Sequence, residues 1–286
     1  MVRLRSLFAA VQFLTRIPIR LRREPDVANS DSWFPVVGAL VGACVGGTAA
    51  GLWYLVPPVV AATVAIMVGM LITGAFHEDG LADVADAFAG GTTIERRLMI
   101  LKDSTHGSYG VAALCSSIVI RIVCLGSFPG PMAMFVASVA AHAVARGAAV
   151  GLMGVAPLAT HRGLGVDYGQ AATPRRAVGG VLLGVALSAV AVGLRAVPLL
   201  GVAVVAIAAI RWLSMRKIGG ISGDVLGTCE QVAECLALVV LVGFAGHNVW
   251  CRSPLNHGRS VVNRTTSPSG STTSTDTPLL DGIGAP

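Results

Sequence analysis

Apolar runs near residues 36–56, 59–75, 109–128, 131–150, 177–194, 197–213 and 232–250, each with few or no charges, constrain this chain more than any other feature. A helix needs about 20 such residues to cross roughly 30 Å of hydrocarbon. Inside a bilayer each backbone amide must also be satisfied within the spanning structure, which a helix does by itself. The chain therefore reads as all-α, a polytopic transmembrane helical bundle of about seven spans. Composition agrees: 54% of residues are hydrophobic and 13% charged, against about a quarter charged in soluble domains. The 35 glycines read as packing residues, because small side chains let membrane helices approach closely.

Charge supplies an orientation. Segments 1–35, 76–108, 151–176 and 211–231 alternate with outer turns and hold 15 of the 21 basic residues. The positive-inside rule then predicts a cytoplasmic N-terminus and long polar loops on the cytoplasmic side. The net charge of +6 is explained by this partition and calls for no nucleic acid. Arg3 and Arg5 ahead of Leu7 to Leu14 imitate a signal peptide, but the apolar part is short and no small-residue cleavage site follows before Arg16. Residues 4–16 read better as an interfacial amphipathic helix. Residues 1–252 read as one integral membrane domain, and 253–286, rich in Ser and Thr without apolar period, as a disordered tail. Six cysteines form no CxxC pair and lie mostly in apolar stretches, so they are assigned no chemistry.

The most informative block follows the second span: Phe76-His77-Glu78-Asp79-Gly80-Leu81-Ala82-Asp83-Val84-Ala85-Asp86-Ala87-Phe88. Asp79, Asp83 and Asp86 stand at i, i+4 and i+7, so one helical face carries three carboxylates while Leu81, Val84, Ala85 and Phe88 face away, and Glu78 lies off the acidic face. Like charges at that spacing repel by a few tenths of a kcal/mol per pair, so a cation is expected to offset them. Oxygen donors select hard ions, and Mg²⁺ in particular is commonly held by carboxylates together with substrate phosphates. A solvated acidic face is the plainer reading; acids beside a bilayer favour the functional one.

Downstream, Lys102-Asp103-Ser104 precede a Gly and Ser turn ending at Gly110, a composition suited to phosphate. Arg146-Gly147 and Gly219-Gly220-Ile221-Ser222-Gly223-Asp224 are predicted to complete a site on the same membrane face. Arg146 also fits a snorkelling cation, and Asp224 a helix cap.

These blocks, with Phe13-Leu14-Thr15-Arg16-Ile17-Pro18 and Gly163-Leu164-Gly165, resemble the cobalamin synthase family, the adenosylcobinamide-GDP ribazoletransferases of corrinoid assembly. The resemblance runs along most of the chain, and its ordered motifs are highly specific. Glu78 stands where the family usually has an apolar residue and Ala87 where Gly is common; the tail extends past the family's usual end. The resemblance implies that adenosylcobinamide-GDP is joined to alpha-ribazole or its 5′-phosphate, giving adenosylcobalamin or its phosphate and GMP. It implies Mg²⁺ held by Asp79, Asp83 and Asp86, a base at His77 or a neighbouring acid, and substrate contacts at Lys102, Asp103, Ser104, Arg146 and Asp224. It also implies an inner-membrane enzyme with a cytoplasmic site, compatible with a homo-oligomer.

Two other classes compete. The CDP-alcohol phosphotransferases also set aspartates beside membrane helices, but their signature carries Ala-Arg after the first Asp-Gly, where Leu81-Ala82-Asp83 stands here. A cation-coupled transporter predicts mid-span acids and internal repeats, and neither is evident in the sequence.

Overall fold

A computed structural model describes residues 2–19, 29–159 and 173–250, and among these the architecture is helical throughout, with no β-strand. The elements are α1 (Val2–Leu14), α2 (Phe34–Leu52), α3 (Pro58–Thr73), α4 (Phe76–Gly90), α5 (Ile94–Ile100), α6 (Ser108–Gly126), α7 (Pro131–Met153), α8 (Pro174–Val192), α9 (Val197–Ile218) and α10 (Gly223–Trp250). The Gly163 to Gly165 motif and the 253–286 tail lie outside the described residues.

α7 forms the axis, buried on every side from Ala140 to Met153. Its Ala-rich sequence permits this, since short side chains let neighbours come to backbone distance. α2 packs on it through Gly38, Gly42 and Gly46, where a Cβ would stand 2.8 Å from Arg146 Cδ, 2.6 Å from Ser138 O and 2.8 Å from Phe135 Cα respectively. On another side, a Cβ on Gly151 would lie 2.6 Å from Ile207 Cδ1 and 2.7 Å from Val181 Cγ2. A straight helix would hold those two side chains about 39 Å apart. The helical stretch Pro174–Ile218 therefore doubles back at the 3₁₀ turn Gly193–Ala196, and α8 and α9 are separate arms.

Among the described residues, five helical stretches are long and apolar enough to cross a membrane, one of them Pro174–Ile218, and α3 with α4 makes a sixth if that pair counts as one span. This is a multi-pass membrane fold. α3 ends at Thr73, within two residues of the end of the second apolar run near 59–75, and α4 leaves it at 90°. Gly74 (φ 70°) and Ala75 (φ 56°) make the turn in consecutive left-handed conformations. Glycine adopts that conformation freely, but alanine is strained there, at a cost of about 1–3 kcal/mol. The bend turns the acidic segment out of line with α3 and against α10 and α6.

The last span is corrected, since α10 begins at Gly223 rather than near 232. The polar residues 224–231 that look like loop in the sequence are helical, with Asp224 half-buried and Glu230 fully buried. Lys217 Nζ donates to Phe88 O at 2.9 Å, and Arg97 Nη1 to Lys217 O at 3.0 Å, bracing the end of α4 against α9.

Candidate active site

α4 and α10 cross at Gly80. A Cβ there would stand 2.9 Å from Asp224 O and 3.0 Å from Asp224 Cα, and Thr228 Oγ1 donates to Gly80 O at 3.1 Å. Only glycine permits that approach, and it sets Asp224 near enough to interact electrostatically with Asp79 and Asp83. Two motifs far apart in sequence thus share one acidic face.

His106 completes it. Its Nε2 lies 3.6 Å from Asp79 Oδ1 and its Nδ1 3.5 Å from Asp83 Oδ1, with Asp79 63%, His106 36% and Asp83 13% exposed. One ligand atom from each residue lies within 4.8 Å of the others. Two carboxylates that open to solvent fit Mg²⁺, which retains waters and binds through a few acids plus substrate phosphates. Sequence reasoning missed His106, although it stands two residues after Ser104 in the very loop that was singled out.

Asp86 is placed differently from Asp79 and Asp83. It is buried, accepting from Gly107 N at 2.6 Å and Gly110 N at 2.9 Å, and so caps the start of α6. The three-acid face read from helical spacing becomes two acids, a histidine and a cap. Lys102, Asp103 and Ser104 lie exposed in the loop leading to His106. The Thr105 hydroxyl and N–H donate to Asp103 Oδ1 at 2.7 and 3.0 Å, holding that carboxyl below the usual range and shaping the turn.

His77 and Arg146 are not brought to this face. His77 points into the bundle, its Nδ1 3.6 Å from Glu230 Oε2. Arg146 Nη1 is 2.9 Å from Glu234 Oε2 and pairs with Glu230 as well, so its guanidinium is committed to protein carboxylates. Arg121 Nη1 donates to Glu78 Oε1 at 2.9 Å and lies 3.5 Å from Glu234 Oε1, and His142 Nε2 stands 3.7 Å from the same oxygen. Glu78 is indeed off the acidic face, but as a buried ion-pair member. Glu234, near the middle of Gly223–Ala245, corrects the expectation that mid-span acids are absent. That removes one of the two arguments against a transporter.

Helical membrane fold and acidic face together define a polytopic membrane protein with an exposed candidate metal site. Residues 6–242 match the cobalamin-5-phosphate synthase family, and the chain belongs to it. It is 36% identical over 260 residues to the adenosylcobinamide-GDP ribazoletransferase of Ralstonia nicotianae, covering 84% of this chain and 95% of that one. It is 38% identical over 253 residues to that of Ralstonia pickettii, covering 82% and 93%. With that of Klebsiella pneumoniae it shares 34% over 250 residues, 84% of this chain and 100% of the relative. No solved structure matches the chain significantly.

Proposed function

We propose that this chain is an adenosylcobinamide-GDP ribazoletransferase whose reaction takes place at the Asp79, Asp83 and His106 face. Its family and the names of its relatives support the reaction. The observation that carries the site is the Gly80 crossing, which brings Asp224 to the Asp79 and Asp83 face that His106 also meets.

The 3′-hydroxyl of alpha-ribazole attacks the phosphorus that bears the cobinamide group. A new P–O bond forms, the diphosphate P–O bond breaks, and GMP leaves with that electron pair. Positioning and charge neutralisation dominate catalysis of such a transfer. Asp79 and Asp83 would hold Mg²⁺, which when bound neutralises charge on phosphate oxygens. His106, held between the two acids, takes the hydroxyl proton. Lys102, exposed in the loop leading to His106, meets the phosphates as a point charge. The basic-residue partition supports an inner-membrane protein with this face in the cytoplasm.

The test is cell-free turnover by the purified full chain, with adenosylcobinamide-GDP, alpha-ribazole or its 5′-phosphate, and varied Mg²⁺. Formation of the cobalamin product and GMP, lost on chelation, is expected. Turnover of CDP-activated lipids instead, or vesicle uptake without turnover, would replace the reading with one of its competitors.

A further inference from the structure

A cavity of about 660 Å³ lies between α1 and the α3–α4 bend, and the reaction described above leaves it without a role. Its lining includes Gln12, Phe13 and Arg16 from the N-terminal segment and Gly74, Phe76 and Asp79 from the bend. Asp79 therefore belongs both to this cavity and to the acidic face. Sites for small organic ligands commonly measure about 300–1,000 Å³, so the cavity suits a nucleoside phosphate and is too small to enclose a corrin ring.

Its chemistry is that of a phosphate beside a planar base. Arg16 is exposed and pairs with no acid among the described residues. Its place is nonetheless fixed. Arg16 N donates to Ile72 O at 2.7 Å, and the side chain lies over Gly74, where a Cβ would meet Arg16 Cγ at 2.9 Å and Cδ at 3.0 Å. An acidic face by itself repels phosphate; a guanidinium lining the same cavity as Asp79 supplies the opposing charge and a planar fork of donors. Phe13 and Phe76 meet edge to face at 5.4 Å, and Phe13 stacks on Phe34 at 5.6 Å, giving an apolar floor for a ring. Gln12 is exposed above it with an amide to offer.

We propose that this cavity binds the nucleoside phosphate portion of a substrate or product, with the phosphate on Arg16 and the base against Phe13 and Phe76. The identity of that nucleotide rests on the transferase reading, which offers two with the shared chemistry: GMP and alpha-ribazole 5′-phosphate.

Calorimetric titration of the full chain in nanodiscs tests this without turnover. The ligands are GMP, guanosine, alpha-ribazole 5′-phosphate and alpha-ribazole; the proteins are the natural chain, Arg16→Gln, Arg16→Lys and Gln12→Trp. Arg16→Gln should weaken one of the two nucleotides about tenfold or more while leaving its phosphate-free nucleoside unchanged, as expected for a lost charged hydrogen bond. The nucleotide affected identifies the occupant. Arg16→Lys should recover part of the affinity, and Gln12→Trp, which fills the cavity, should weaken nucleotide and nucleoside alike. Failure of the natural chain to bind either nucleotide, equal loss for nucleoside and nucleotide in Arg16→Gln, or normal binding in Gln12→Trp would overturn the proposal. Should Arg16→Gln fail to fold, Arg16→Lys and Gln12→Trp decide. Arg16-dependent binding in a chain without turnover would refute the transferase and keep the cavity; turnover with Arg16-independent binding would do the reverse.

Discussion

Arg121 donates to Glu78 across 2.9 Å, joining α6 to α4 where the two side chains are 4% and 5% exposed. The pair belongs to a buried cluster with Arg146, His77, His142, Glu230 and Glu234, in which three carboxylates meet two guanidiniums. Both guanidiniums share Glu234, so removing Arg121 strips Glu78 of its guanidinium partner and leaves Glu234 with Arg146 alone.

Arg121→Met should therefore destabilise the fold by about 3–5 kcal/mol, the usual cost of leaving a buried charge without its partner. Adding Glu78→Leu should recover part of that loss. Thermal or denaturant unfolding in one detergent, read as a double-mutant cycle, measures both. A cost near that of an exposed pair, below about 1 kcal/mol, would contradict the buried geometry.

The acids of α4 should separate by role. Asp79→Asn and Asp83→Asn should each cost about hundredfold or more in turnover, through lost charge stabilisation, with melting unchanged or slightly raised by relief of repulsion. Asp86→Asn keeps one of its two acceptors and loses the other, so stability should fall by about 1 kcal/mol, the value of a helix cap. Turnover and melting temperature for the three variants check this. Identical behaviour in all three would erase the distinction between face and cap.

Gly80→Ala should push α4 away from Asp224 and cost about 1–3 kcal/mol through overpacking. Turnover should fall further than stability predicts, because the acidic face is built on that contact. Normal turnover at normal stability would show that the crossing relaxes without consequence for the site.

Orientation is open to a direct measurement. A single cysteine at the exposed Thr92, in a chain with all six native cysteines replaced by Ser, should resist an impermeant thiol reagent added outside intact cells and react after permeabilisation. Labelling from outside would reverse the orientation inferred from the basic residues.

The sequence by itself determined what depends on neighbours a few positions away. Apolar runs specify membrane helices because a bilayer leaves the backbone little alternative. Spacing of four put Asp79 and Asp83 on one face, and the abundance of glycine marked close helix packing. Tertiary structure decided the rest. Asp86 sits at helical spacing from Asp83, yet its carboxylate caps a helix that starts more than 20 residues later. Glu78 finds Arg121 at a separation of 43 residues and Glu234 finds Arg146 at 88, so neither acid reveals from its own neighbourhood whether it faces water or a partner. The left-handed pair at Gly74 and Ala75 has the same character, because alanine does not choose that conformation locally. Packing of α4 against α6 and α10 holds it there, and that packing faces Asp79 and Asp83 toward His106 while turning His77 inward.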